Sequence, residues 1–538
     1  MSSLVMYRNG AIYSPADPFA TAMLVDGDTV AWVGQEAAAA GMLDDRMTVV
    51  DLEGALVAPA FFDSHVHLTE TGAALASLDL SRVGSADELL GAVTSHAAAS
   101  SGAVIGAGWD QSSWPGQRVP TGAELEAAAG GRDVYLTRAD VHSGLVNTAL
   151  ADRLALDGVD GWDGRGTVVR EAHARVRAAV LDFSDASRAE HQKRALRHLA
   201  STGHAGVAEM AAPHIGTRRD VEVLLELLDA EGPEYPAVHV YWAEPASTAE
   251  EARRLSDGFG PGRLSGLGGD LNIDGSLGSR TAFLREPYAD DSGNRGTLFL
   301  EPERIADHVA ACSEAGVQAA FHVIGDAGLD AAVAGFRLAA ERIGLPAVQA
   351  GRHRLEHVEM ADQAGVDALL EFGVTVSLQP AFDAYWGAPG GQYEQRLGAA
   401  RSGRMNEVGR FLAAGVPVCL GSDTPVTAAS PWAAVKACLE HNTPEARVSA
   451  RAAFLAHTRA GYRAVGAADP LAGQLAPGSE ATFAVWAASE LAVQTPDARV
   501  SSWSTDARAG TPMLPVLDEE LPTCLRTVRA GRVIFDRL

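Results

Sequence analysis

One pattern recurs through the middle of the chain: an amphipathic run, a glycine, then a valine-led apolar stretch of strand length. Pro302 to Ala315 leads through Gly316 to Val317–Val323, Asp362 to Phe372 through Gly373 to Val374–Leu378, and Gly409 to Ala414 through Gly415 to Val416–Leu420. In the first, Ile305, Val309 and Cys312 share a helical face, with proline near the start and glycine at the stop. A glycine-capped helix feeding a buried strand is the αβ junction of a parallel sheet, whose strands are covered on both faces. Counting comparable apolar runs gives eight: Ala55–Phe62, Ala205–Glu209, Ala237–Trp242, Asp270–Asp274, Ala319–Val323, Arg354–Val358, Thr375–Gln379 and Pro417–Ser422. Eight such strands fit a closed α/β architecture, a (β/α)8 TIM-like barrel, better than an open sheet.

The two ends read differently. Residues 3 to 35 alternate short β-type runs with turns such as Arg8-Asn9-Gly10 and Asp26-Gly27-Asp28, and Thr482–Trp486, Thr527–Arg529 and Val533–Phe535 repeat the style. We therefore expect a composite β-sandwich domain from 1–56 and 470–538 around a barrel over 57–469. The gap after the first barrel strand is too long for one crossover and carries its own strands, Val104–Gly108 and Val134–Thr137, which predicts a subdomain inserted over 69–190. The Gly387–Gly391 stretch is a candidate mobile loop over the barrel mouth.

With 43 basic and 69 acidic side chains the net charge is −26, which argues against nucleic-acid or anionic-membrane partners. Cys312, Cys419, Cys438 and Cys524 show no CxxC spacing and read as reduced, buried residues. No signal-like N-terminus or membrane-length apolar window stands out, so the expectation is a cytoplasmic protein.

His65 and His67 follow the first barrel strand as His-Val-His. In extended chain, residues two apart point the same way, so both imidazoles can converge on one ion. Taken singly, His322 and His357 read as core histidines. Asp423, after the last apolar run, is hard to explain by packing, because a buried carboxylate without a counter-ion is costly. Together these residues lie at the carboxyl ends of barrel strands, where barrel enzymes place their sites. A divalent metal explains the set, zinc being the expected ion: imidazoles and a carboxylate hold it, and it brings a water's pKa toward neutrality. The reaction class is metal-assisted hydrolysis.

His65-Val-His67, the Asp274-Gly275-Ser276 to Ala282 segment, His322 to Asp326, Glu356-His357 and Gly421 to Pro425 together resemble the amidohydrolase superfamily. The likeness is to its amidohydrolase-3 branch, which includes the N-substituted formamide deformylases. That resemblance implies that His65, His67 and Asp423 hold the more buried metal, that His322 and His357 serve a second metal or the substrate, and that Asp423 is the general base. Many members of the branch carry a carboxylated lysine where this chain has Asp270. An aspartate is shorter, so Asp270 is expected not to bridge two ions. Glu209 is a candidate replacement ligand, and one or two ions per chain remain open.

For substrate contacts, Arg280 is a candidate anchor for a carboxylate or carbonyl oxygen, with a surface salt bridge as its equal alternative. Trp109, Asp140 and His142 resemble segments folded over the site, and Tyr385 and Trp386 are candidates for an apolar wall. The expected function is hydrolysis of a non-peptide carbon–nitrogen bond in a small-molecule, linear or N-substituted amide. A mononuclear deaminase of a cyclic amine or imine, and a non-catalytic binding or regulatory protein on the same scaffold, are the competing readings. A homodimer is left open.

Overall fold

The barrel is built from eight parallel strands: β1 (Phe61–Val66), β2 (His204–Ala211), β3 (Ala237–Trp242), β4 (Leu264–Leu267), β5 (Gln318–Val323), β6 (Arg354–His357), β7 (Thr375–Leu378) and β8 (Val418–Leu420). They lie in one sheet in sequence order. This is a computed structural model, and it describes residues 4–100, 102–111, 114–138, 143–180, 182–494, 503–504 and 512–538. The seam between β1 and β8 is joined just beyond the strands, where Asp423 N–H donates to His65 C=O at 2.9 Å and His67 N–H to Thr424 C=O at 3.0 Å.

The helix–glycine–valine pattern folds as the sequence predicts. Helices Pro302–Ala315, Gln363–Phe372 and Val408–Ala414 each end on a left-handed glycine, Gly316, Gly373 and Gly415, before β5, β7 and β8. Every residue of β2 is buried, as expected of a strand covered on both faces.

Two expected strands differ. The run Ala55–Phe62 is two strands: Leu56–Pro59 pairs with Phe483–Ala487 in a separate sheet, and the barrel begins only at Phe61. The fourth strand is Leu264–Leu267, ahead of the expected Asp270–Asp274. Gly268 and Gly269, with φ +115° and +82°, bend the chain at its end. A Cβ on Gly268 would lie 1.7 Å from the Ala320 carbonyl oxygen, so only glycine fits that approach. The segment then rejoins β5, with Ile273 N–H donating to His322 C=O at 2.9 Å.

Strands from both ends of the chain meet in a five-stranded sheet ordered Ala11–Ile12, Leu56–Pro59, Phe483–Ala487, Thr523–Arg529 and Arg532–Asp536. A four-stranded sheet, Thr29–Gly34, Ala22–Asp26, Leu4–Arg8 and Thr48–Asp51, shares its apolar core through Met23, Val25, Val57, Phe483 and Val528.

Thr69–Arg194 forms a second compact unit. Its five-stranded sheet runs Thr167–Val169, Ser143–Val146, Val134–Arg138, Val104–Trp109 and Leu78–Asp79. Leu89, Val93, Trp109, Leu125 and Leu136 are buried in this unit's own core. Among the described residues no helix is long and apolar enough to cross a membrane, and all four cysteines are free and buried.

Candidate metal centre

His65 is the penultimate residue of β1 and His357 the last of β6, while His67 and Asp423 follow β1 and β8. His357 and Asp423 take left-handed backbone, φ +70° and +56°, conformations that side-chain-bearing residues adopt rarely and that cluster at functional sites. His67 Nε2 lies 3.1 Å and His65 Nε2 3.4 Å from Asp423 Oδ1. His322 and His357 join from β5 and β6, their ring centroids 4.5 Å apart.

Asp270 stands among all four imidazoles. Its Oδ2 is 3.5 Å from His65 Nε2 and 3.3 Å from His67 Nε2, and its Oδ1 is 3.7 Å from His322 Nδ1 and 3.8 Å from His357 Nε2. Asp270, expected to be too short to bridge two ions, comes to lie among the imidazoles on the segment that follows the Gly268–Gly269 bend. Glu209 does not join the cluster. Its Oε2 accepts the Leu68 N–H at 2.7 Å, bracing the chain just past His67.

The outward ring atoms are oriented by neighbours. His65 Nδ1 lies 3.1 Å from Glu356 Oε2, and Glu356 in turn takes Arg354 Nε and Nη2 at 2.6 and 2.9 Å. His357 Nδ1 is 2.8 Å from Gln379 Oε1, and His322 Nε2 faces the Gly275 carbonyl at 3.3 Å. Asp274 holds the loop carrying Gly275, its carboxylate accepting the Ile324, Gly325 and Phe283 amides at 2.9, 2.8 and 2.7 Å. Such partners fix tautomer and ring angle in metal sites.

Burial opposes charge on His65 and His67, but Asp270 and Asp423 outweigh it: His65 is held well above the ordinary imidazole range and His67 is pushed up to about 9. Burial also opposes ionisation of Asp270 and Asp423, yet the facing imidazoles keep both carboxyls below their usual range. The centre of the cluster therefore favours positive charge. His65 Nε2, His67 Nδ1 and Asp270 Oδ1 are buried without a hydrogen-bond partner. Of these, His65 Nε2 and Asp270 Oδ1 face the other imidazoles and carboxylates of the cluster, an arrangement that fits the donor set of a divalent cation.

The expected substrate contacts fare differently. Arg280 is engaged at the surface, its Nε and Nη2 on Asp290 at 3.1 and 2.8 Å, which is the salt-bridge alternative. Trp109 is 1% exposed within the second unit's core and its indole N–H donates to Leu136 C=O at 3.0 Å, so packing accounts for it. Asp140 and His142 lie outside the described residues. Tyr385 is exposed; Phe382, missed in the sequence, lies parallel to His357 with centroids 6.0 Å apart and Trp386 behind it at 4.7 Å.

A parallel barrel with histidines and aspartates gathered at the carboxyl ends of its strands defines a metal-dependent hydrolase fold. The family model described as "Amidohydrolase family" matches residues 48–535, and the chain belongs to that family. It is 26% identical over 515 residues to "Protein LONG AFTER FAR-RED 3" of Arabidopsis thaliana, covering 89% of this chain and 86% of that one. It is 24% identical over 463 residues to an N-substituted formamide deformylase of Arthrobacter pascens, covering 77% and 80%. Among solved structures, a metal-dependent hydrolase from Pyrococcus furiosus aligns with a TM-score of 0.74 at 26% identity, covering 90% of this chain and 98% of that one.

Proposed function

We propose that this amidohydrolase-family protein cleaves the carbon–nitrogen bond of a small linear or N-substituted amide, using zinc held by His65, His67, His322, His357, Asp270 and Asp423. The observation that carries this reading is the convergence of four imidazoles and two carboxylates, with His65 Nε2 and Asp270 Oδ1 buried and unpartnered among them. Two triads, His65–His67–Asp423 and His65–Asp270–His357, share His65. With Nδ1 turned to Glu356, only Nε2 of His65 faces inward, and one lone pair serves one cation, which favours a single ion.

When bound, a divalent cation supplies Lewis acidity and lowers the pKa of a water toward neutrality. Asp423, ionised at neutral pH, accepts the proton as the water oxygen attacks the carbonyl, and returns it to the departing amine nitrogen. His322, tied to the Gly275 carbonyl, and His357, tied to Gln379, keep their ring angles as the substrate binds. Phe382 gives the His357 side an apolar wall.

A deaminase would use a glutamate to protonate a ring nitrogen. Glu356 is committed to Arg354 and His65, and Glu209 to the Leu68 amide, which weighs against that chemistry. The similarity to a formamide deformylase makes N-substituted formamides the first substrates to test. Purified protein, stripped with chelator and reloaded with zinc, is assayed on N-substituted formamides, N-acyl amino acids and cyclic amides. Zinc-restored amide turnover is expected; ammonia release from cyclic amines alone, or no turnover and no bound metal, overturns the proposal.

A further inference from the structure

A second group of metal-ligating side chains lies at the base of β1, apart from the residues assigned above. β1 enters the barrel between two backbone partners, Phe61 N–H donating to Gly203 C=O at 2.9 Å and Phe62 N–H to His457 C=O at 3.0 Å. The next residue, Asp63, is thereby brought to His204 on one side and His457 on the other. All three side chains are buried, none more than 1% exposed.

Their polar atoms are poorly served by the protein. Asp63 Oδ1 accepts the His65 and Ser422 amides at 3.2 and 2.9 Å, but Oδ2 has no partner. His204 Nδ1 is oriented by Thr202 Oγ1 at 3.0 Å, while its Nε2, 3.9 Å from Asp63 Oδ2, is unpartnered. Both ring nitrogens of His457 are unpartnered as well. One ligand atom from each residue falls within 4.8 Å of the other two. A buried polar atom left without a partner is costly, so several brought close together call for an occupant.

His457 also packs edge-on against Phe61 at 5.2 Å, but ring packing leaves its nitrogens unserved. A cavity of about 60 Å³, lined by Asp63, His457, Ser422 and the exposed Tyr385, lies against two of the three residues. Two imidazoles and one carboxylate suit a first-row divalent ion of the zinc class, with water from the cavity filling the remaining position.

We propose that Asp63, His204 and His457 form a second, structural cation site. Through Asp63 Oδ1 this site clamps the amides of His65 and Ser422, and so stiffens the β1–β8 seam from behind without touching substrate.

The test is anomalous diffraction at the zinc edge on crystals of the full chain equilibrated with zinc, together with elemental analysis of the protein and of His457→Phe. The expected result is two peaks in the wild type, one among His65, His67 and Asp423 and one bonded to His204 and His457, with His457→Phe losing one metal equivalent and the second peak only. A zinc-saturated wild type with a peak only at the first cluster, or an unchanged metal content in His457→Phe, overturns it. If His457→Phe does not fold, the wild-type peaks decide. Each site has its own peak, so failure here is distinguishable from failure of the catalytic proposal.

Discussion

Glu356 Oε2 sits 3.1 Å from His65 Nδ1, so an ionised glutamate, itself gripped by a fully buried arginine, sets the direction of the first histidine of the metal centre. Burial raises the Glu356 carboxyl, but Arg354 and His65 more than reverse this and bring it down to about 2. As an acceptor throughout the neutral range, it requires Nδ1 to carry the proton and leaves Nε2 for the centre.

Replacing Glu356 by Gln should therefore have two effects. Leaving Arg354 buried without its counter-charge should cost about 3–5 kcal/mol in urea unfolding. Loosening His65 should weaken zinc binding about 10–100-fold in competition with a chromogenic chelator. Unchanged zinc affinity in a folded variant would remove Glu356 from its orienting role.

Asp270 and Glu209 separate by metal content. Asp270→Asn keeps the shape of the side chain but removes a charge facing four imidazoles, and is expected to lower the zinc retained after dialysis. Glu209→Gln still offers an oxygen to the Leu68 amide and should retain the wild-type amount. The opposite ranking in elemental analysis would restore Glu209 as the ligand.

Gly268→Ala meets both a positive φ and the Ala320 carbonyl. It should destabilise by more than about 1 kcal/mol and, by displacing Asp270, reduce bound zinc. Thermal unfolding with and without added zinc reads both; a variant as stable and as metal-rich as the parent contradicts the bend described for β4.

Acid sensitivity should come from histidines remote from the metal. His308 and His353 accept the Ala246 and Ala319 amides through Nδ1, both at 3.0 Å, and burial pushes their pKa values down to about 4 and about 3. Their folded values lie below the unfolded imidazole value, so the unfolded chain binds more protons between roughly pH 6.5 and 3. Stability is full above that window and falls as pH drops through it, by at most about 1.4 kcal/mol per pH unit for each histidine. Denaturant melts at several pH values should show this slope, and His308→Asn, which retains an acceptor but cannot titrate, should flatten it.

The repeated helix–glycine–valine units could be read because helical periodicity and a left-handed cap are written in consecutive residues. His65, His67, His322, His357 and Asp423 could be singled out because each lies at or near the end of an apolar run, and the structure brings them together. The place of Asp270 among the imidazoles is not legible from a straight fourth strand; the Gly268-Gly269 pair before it is the available signal. The break between Leu56–Pro59 and β1 went unread because both strands are equally apolar. The sequence leaves Trp109 and Arg280 ambiguous because an aromatic or a guanidinium serves packing and recognition equally well; the structure gives Trp109 a core position and Arg280 a salt bridge to Asp290. Asp63, His204 and His457 are distant in sequence, and only the pairing of β1 with its neighbours brings them together.

The hydrogen bonds joining His65 to Asp423 and His67 to Thr424 also impose an order on biosynthesis. A chain emerging from the ribosome displays its first two histidines long before the carboxylate that completes their triad. If these residues hold the ion as proposed, its capture in the finished geometry would wait until the eighth strand has left the exit tunnel, among the last events in maturation.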